Sequence, residues 1–269
     1  MDASRLGCTT VTFGGKLPDK LRAMKAAGFG ATEIWPRDYY EHNEGPDVAI
    51  DLLDELGLAC CCYQNLRNFE GMPHARRERK LAIATQLFEQ MRLLGCTTLV
   101  LCSNIAPDSS PDEGRIGDDL RMLGDLAGRF GARVAWEPIC WGRWVKDYRD
   151  AWRILQQVDH PHVGLVLDSF HVLALGLPVE PIADIPREKI FLVELADLPG
   201  GTLDLVEMSR SFRLFPGEGV ADIAAFMRQV RRTGYDGYLT VEVFNTYYQS
   251  LDATMVARRA MESLRRFIA

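Results

Sequence analysis

The chain has 269 residues, 47% of them apolar, and 37 acidic against 31 basic side chains give a formal charge of −6. That length supplies ample core for one large domain or two small ones, while the acidic balance argues against a protein that neutralises nucleic-acid phosphates. Apolar runs are a handful of residues long, far below the ~18–20 of a membrane-crossing helix; Met1-Asp2-Ala3-Ser4-Arg5 lacks the basic and apolar regions of a secretory signal, so a cytoplasmic location is expected.

Along the chain one theme repeats: a short apolar, β-branched run, a polar turn, then a helical stretch. Extended runs are expected at 6–13, 31–35, 58–63, 97–102, 133–138, 163–168, 189–195 and 238–244. Helical stretches at 17–27, 47–56, 75–94, 111–130, 147–158, 222–233 and 252–267 separate most of them. Between Val172 and Arg187 three prolines (Pro178, Pro181 and Pro186) break the helical pattern, and one or two short turns are expected there. Gly28, Gly57, Gly95, Gly131 and Gly234 each precede a strand and fit left-handed helix C-caps.

Eight units over this length average about 34 residues, close to the ~30 of a βα repeat. Near-continuously apolar strands imply a parallel sheet covered on both faces. No linker or low-complexity segment divides the chain, so a single α/β domain spanning 1–269 is expected, a (β/α)8 TIM barrel. A doubly wound sheet fits less well, because Gly14-Gly15 after the first strand is a turn and not a phosphate-binding loop. Seven cysteines, odd in number and without a CxxC pair, suggest neither a zinc knuckle nor a redox pair. Cys60, Cys61 and Cys62 lie in an apolar run and read as buried reduced thiols.

In such a barrel, reactive residues sit at the C-terminal ends of the strands. Four late strands each end in a carboxylate: Glu137, Asp168, Glu194 and Glu242, separated by 31, 26 and 48 residues. Acids at one height on adjacent strands repel, and burying them uncompensated costs several kcal/mol each. One hard divalent cation with oxygen ligands removes the problem; Mg²⁺, Mn²⁺ and Co²⁺ all suit such a set. A single strand-end acid more often caps a helix or pairs with a basic residue; the four together carry the inference.

His171, three residues after Asp168, lies over the expected cavity and suits a general base. His42 and His74 fall in polar loops, and His160 and His162 flank Pro161 in a turn. Ser209-Arg210-Ser211-Phe212-Arg213 follows the seventh strand, and Arg67 lies beyond the third; arginines there would grip a carboxylate at two points. Ser103-Asn104 offers neutral hydrogen bonds, and Trp35, Trp136, Trp141 and Trp144 would wall a cavity or pack in the core.

With these residues placed, the chain resembles the sugar phosphate isomerase/epimerase superfamily of xylose isomerase-like barrels, and within it the bacterial 3-dehydroshikimate dehydratases. The likeness runs from about Arg5 to Asn245. Its most specific stretches are Arg67-Asn68-Phe69-Glu70-Gly71, Leu101-Cys102-Ser103-Asn104, Trp141-Gly142-Arg143, Asp147-Tyr148-Arg149-Asp150-Ala151-Trp152, Leu167-Asp168-Ser169-Phe170-His171, Ser209-Arg210 with Arg213, Phe215-Pro216-Gly217 and Glu242-Val243-Phe244-Asn245. The resemblance implies one divalent metal on Glu137, Asp168, Glu194 and Glu242, His171 as catalytic base, and substrate contacts from Ser209 and Arg213.

Departures from that family are specific. Glu194 stands where the dehydratases carry a neutral glutamine, so four carboxylates face one M²⁺ with a formal −2 left over. The surplus acid is then protonated, not bound to the metal, or active in proton transfer. Trp35-Pro36-Arg37-Asp38-Tyr39-Tyr40 and Gln64-Asn65-Leu66 differ as well.

The implied reaction is a metal-assisted elimination on a small anionic hydroxy-ketone, with 3-dehydroshikimate converted to protocatechuate. The alternative is a sugar or polyol isomerase or epimerase, with Glu137 and Glu242 exchanging protons on opposite faces of an enediolate. Abasic-site endonucleases share this barrel, but five histidines and a net −6 argue against a multi-zinc DNA site. A non-catalytic barrel that had lost its metal would not be expected to keep all four ligands. Neither nucleic acid nor membrane is expected as a partner, and the sequence leaves oligomeric state open, a homo-oligomer included.

Overall fold

The computed structural model describes residues 2–40 and 47–268. Eight parallel strands close a barrel in sequence order: β1 (Leu6–Thr9), β2 (Ala31–Ile34), β3 (Ala59–Arg67), β4 (Thr98–Cys102), β5 (Arg133–Glu137), β6 (Val163–Asp168), β7 (Ile190–Leu195) and β8 (Leu239–Val241). The helices are α1 (Leu17–Ala27), α2 (Pro36–Tyr40), α3 (Asp47–Leu56), α4 (His74–Leu93), α5 (Glu113–Arg129), α6 (Tyr148–Val158), α7 (Ser169–Ala174), α8 (Leu205–Ser211), α9 (Ile223–Arg232), α10 (Thr246–Gln249) and α11 (Ala253–Arg265). The expected TIM barrel is the fold found. Among the described residues no helix is long and apolar enough to cross a membrane.

Local chemistry sets the boundaries. Asp112, Asp147, Asp222 and Asp252 each accept a backbone N–H at the start of α5, α6, α9 and α11, satisfying donors that a helix start leaves without partners. The five glycines expected as C-caps all take positive φ. All seven cysteines are free and buried.

Three strands differ from expectation. β1 stops at Thr9, where a 3-10 turn (Thr10–Thr12) begins. The Thr10 hydroxyl accepts the Trp35 N–H at 3.1 Å and the Thr12 hydroxyl accepts the Val243 N–H at 3.1 Å, replacing ladder bonds at the ends of both β1 and β8. Glu242 therefore lies just past β8. β3 instead runs on to Arg67, because a register shift between Gln64 and Leu66 lets it keep pairing with β4. Helix α8, absent from the sequence reading, is nucleated by Asp204, whose carboxylate accepts the N–H groups of Val206 and Glu207. The proline-rich stretch holds the 3-10 turns Glu180–Asp184 and Arg187–Lys189, as expected.

Outward-facing strand residues such as Leu99, Val134, Trp136 and Val193 pack with Leu21, Phe88, Leu120 and Phe226 from the helices. A smaller cluster holds Ala31, Cys62, Val100, Ala135, Val166 and Leu192. Side chains alternate along a strand, so the residue two positions further up each strand faces the same interior. Those residues are Glu33, Gln64, Cys102, Glu137, Asp168 and Glu194. Strand periodicity alone therefore lines the upper barrel with acid.

Candidate metal and active site

Glu137, Asp168, Glu194 and Glu242 are all buried, and each offers an oxygen within 4.8 Å of the others'. Asp168 and Glu194 are register partners on β6 and β7. Above them opens a cavity of about 190 Å³ lined by Arg67, Ser103, Glu137, His171, Ser209, Arg210, Arg213 and Glu242, with Trp35, Ile139, Trp141 and Phe244 as apolar walls. Eight of the eleven residues expected at the site thus line the cavity; Asp168 and Glu194 lie buried behind that lining. Asn104 does not line it: its backbone and side-chain N–H groups both donate to Glu70 at 2.6 Å.

Arg213 is 3% exposed and every nitrogen is engaged. Nη1 donates to Asp168 Oδ2 and Glu242 Oε2, both at 2.8 Å. Nε donates to the Ser209 carbonyl at 2.9 Å; Nη2 lies 3.3 Å from Ser209 Oγ and 3.2 Å from His171 Nε2. Burial pulls its pKa down, but the charges of Asp168 and Glu242 outweigh that and raise it. Arg210 instead lies 5.9 Å over the Trp141 ring.

His171 sits in α7, a short helix capped by Asp168, whose Oδ1 accepts the Phe170 N–H at 2.8 Å. Cys140 covers Nδ1 with its backbone N–H and its sulfur, both at 3.2 Å. Nε2 is left to face Glu137 Oε1 at 3.4 Å and Asp168 Oδ2 at 3.5 Å. Burial disfavours the imidazolium, but Asp168, Cys140 and Glu137 together hold its pKa up at about 10.

The acids divide by partner. Burial pushes Glu137 up, but His171, the Cys102 thiol and Arg213 outweigh it and leave its pKa lowered; Cys102 Sγ donates to Glu137 Oε2 at 3.0 Å. Burial raises Glu242 to about 8 despite Arg213. Glu194 is pushed well above the usual carboxylate range by burial and by Glu242, Glu33, Glu137 and Asp168. Neither Glu194 oxygen has a hydrogen-bond donor.

Sequence reasoning missed Glu33, which is fully buried on β2 and lies against Glu194. Gln64 Nε2 donates to its Oε2 at 2.7 Å, and burial raises its pKa. The available signal was parity, since Glu33 stands two residues beyond Ala31 in an otherwise apolar run. Asn65 was also missed: it accepts from Arg67 Nε at 2.8 Å and donates to Cys102 Sγ at 3.1 Å. Arg67 lies 6.0 Å over the Trp35 ring.

Trp136 is fully buried, facing outward from the barrel, and Trp144 is partly exposed with its indole N–H on Ser109; neither lines the cavity. His74 pairs with Glu78 and His160 with Asp125, both away from the site. His42 lies outside the described residues.

The donor set fits a divalent cation. Four carboxylates converge, and two oxygens of Glu194 are buried without a donor, an arrangement that a hard cation with oxygen ligands would satisfy. Glu137, Asp168, Glu194 and Glu242 would hold it.

The family model described as xylose isomerase-like TIM barrel matches residues 21–267. A 3-dehydroshikimate dehydratase of Pseudomonas putida is 40% identical over 95% of this chain, which spans 40% of that relative's length. An inosose isomerase of Bacillus subtilis is 29% identical over 54% of this chain and 52% of its own. Among solved structures, a xylose isomerase-like TIM barrel/4-hydroxyphenylpyruvate dioxygenase fusion protein superposes with a TM-score of 0.94 at 39% identity, covering 97% of this chain and 42% of that one. With a closed eight-stranded barrel and a family match over nearly its whole length, this chain belongs to the xylose isomerase-like TIM barrel family.

Proposed function

We propose that the chain is a divalent-metal-dependent 3-dehydroshikimate dehydratase, a hydro-lyase that forms protocatechuate and water. The observation that carries this reading is the juxtaposition of the four-acid cluster with His171 in one cavity whose rim bears Arg67 and Arg210. The 40% identity to a curated dehydratase along 95% of the chain supports it.

Each residue has a task set by its surroundings. Arg67, held through Nε by Asn65 and lying over Trp35, has its terminal nitrogens available to grip the substrate carboxylate. Arg210, above Trp141, adds positive charge on the other side. Arg213 is spent on Asp168, Glu242 and Ser209 and acts as an internal counter-cation beside the acids. Trp35, Ile139, Trp141 and Phe244 exclude water around the ring.

A bound cation would polarise the ketone and, by neutralising Glu137 and Asp168, lower the proton affinity of His171. In the neutral tautomer that keeps its proton on Nδ1, directed at Cys140 Sγ, His171 Nε2 has the lone pair that takes the proton from the carbon α to the ketone, and the C–H electron pair shifts toward the carbonyl. The β-hydroxyl then departs with a proton as water, and loss of a ring proton to the medium with reprotonation at oxygen completes the catechol. No oxidant is required. Cys140, against Nδ1, keeps Nε2 turned toward the substrate.

The test is to mix the chain, loaded in turn with Mg²⁺, Mn²⁺ and Co²⁺, with 3-dehydroshikimate and record the ultraviolet absorbance of the catechol acid. Appearance of that band with any of the three supports the assignment. Its absence with all three, together with isomerisation of an uncharged keto-sugar or inosose, transfers the site to the isomerase class.

A further inference from the structure

Three loops form one wall of the cavity: those after β3, β4 and β5. The first carries Asn68, just beyond Arg67 at the strand end, the second Ser103 and Ile105, and the third Ile139 and Trp141. Glu70 lies between these loops. It is 2% exposed and does not itself line the cavity.

Its bonds cross from loop to loop. Oε1 accepts the Asn104 N–H and the Glu70 carbonyl accepts Asn104 Nδ2, both at 2.6 Å. Next to this pair, the Ile105 N–H donates to Asn68 Oδ1 at 3.1 Å and the Arg143 N–H donates to the Asn104 carbonyl at 2.7 Å. Oε2 has no hydrogen-bond partner; the Trp136 indole N–H, also unpartnered, lies beside the carboxyl group, one residue before Glu137.

The chain is bent to put Glu70 there. Asn68 takes a φ of 53° and Gly71 one of 70°, and a Cβ on Gly71 would stand 2.7 Å from the Ser110 carbonyl oxygen. The Gly71 N–H is fixed by Asp119 Oδ2 at 2.8 Å, and its carbonyl accepts the Ser110 N–H at 2.8 Å.

We propose that Glu70 is the positioning residue for the anion-gripping wall, locking the Arg67-Asn68 segment to Asn104-Ile105 so that the substrate carboxylate meets a preformed site. It touches neither substrate nor metal ligand and acts through Asn104 and Asn68. The inference rests on the dehydratase reading for its substrate but not for its loop contacts.

The experiment compares wild type, Glu70→Ala and Glu70→Gln in the Mn²⁺-loaded chain. Glutamine keeps the acceptor for the Asn104 N–H; alanine removes it. Alanine is expected to raise KM for 3-dehydroshikimate about tenfold or more with kcat within about threefold, and glutamine to restore KM to within about threefold. Hydrogen–deuterium exchange is followed in parallel over residues 67–71 and 103–106, and is expected to quicken in the alanine variant alone.

Unchanged KM in the alanine variant overturns the proposal, as does a matched fall in kcat, or glutamine behaving like alanine. If wild type does not turn over the substrate, the function reading fails separately. Loop exchange and binding of protocatechuate, followed by fluorescence of Trp35 and Trp141, then decide the role of Glu70. Exchange and affinity unaltered by the alanine change would refute it.

Discussion

Arg213 and Asp168 form a buried ion pair, Nη1 to Oδ2 at 2.8 Å, with side chains 3% and 1% exposed. The same nitrogen reaches Glu242 at 2.8 Å, so one guanidinium holds two acids expected to bind metal. Removing one partner of such a pair leaves buried charge uncompensated, at roughly 3–5 kcal/mol. Arg213→Met is expected to destabilise the metal-free chain by about 3 kcal/mol in urea unfolding with chelator present. Saturating Mn²⁺ should recover much of that loss, because the stranded acids regain a cation. An unchanged urea midpoint would show that the guanidinium does not compensate these acids.

Glu194→Gln tests the surplus carboxyl from the opposite side. Glu194 is buried among Glu242, Glu33, Glu137 and Asp168, all of which raise its pKa. An amide of the same shape keeps an oxygen ligand while removing one acid. The metal-free chain is expected to gain about 1–2 kcal/mol at pH 8, and the variant to retain divalent-cation binding with weaker affinity, measured by competition with a chromophoric chelator. Complete loss of binding would make the charge of Glu194 indispensable to the site.

The same burial predicts how the metal-free chain responds to pH. Glu70 and Glu242 are both raised to about 8 from an ordinary 4.5. Between those values the folded chain holds protons that the unfolded chain releases, so stability falls as pH rises. Their contribution is fully present below about 4.5 and lost by the time pH passes 8. Glu137, shifted downward, acts in the opposite sense only as pH falls below its ordinary range. Thermal unfolding with chelator present should therefore show Tm dropping steadily from pH 5 to pH 8, by an amount on the order of a few kcal/mol in stability. A divalent cation should flatten the slope, and a Tm flat over that window without metal would contradict the assigned burial of these acids.

How far the site was legible follows from periodicity. Glu137, Asp168 and Glu194 each fall at the end of a strand run, and chain-order barrel closure brings such positions to one rim, so spacing sufficed to predict that these acids converge. Glu33 also obeys strand parity, but it stands before Ile34 and Trp35 inside an apolar run, where a single acid carries no label. Asn104 misled in the opposite direction: it follows β4 at the right height, yet its side chain turns back to the Glu70 carbonyl. Strand-end position specifies height and not side-chain direction, which here depends on a contact 34 residues away. The short β1 and β8 were obscured for a related reason, since the Thr10 and Thr12 hydroxyls replace ladder bonds without altering the apolar pattern.

Arg67 provides the sharpest separation between substrate binding and metal binding. It is tied through Nε to Asn65, and it touches none of the four acids by hydrogen bond or ion pair. A charge-assisted two-point grip on a carboxylate contributes roughly 1.5–3 kcal/mol, or about 10- to 100-fold in kcat/KM. Arg67→Ala is expected to lose that amount chiefly through KM, with metal affinity unchanged by chelator competition. Arg67→Lys should recover only part of it, because an ammonium lacks the planar fork that matches a carboxylate. Steady-state kinetics on 3-dehydroshikimate decides the matter: an alanine variant with wild-type KM would move the carboxylate contact to Arg210.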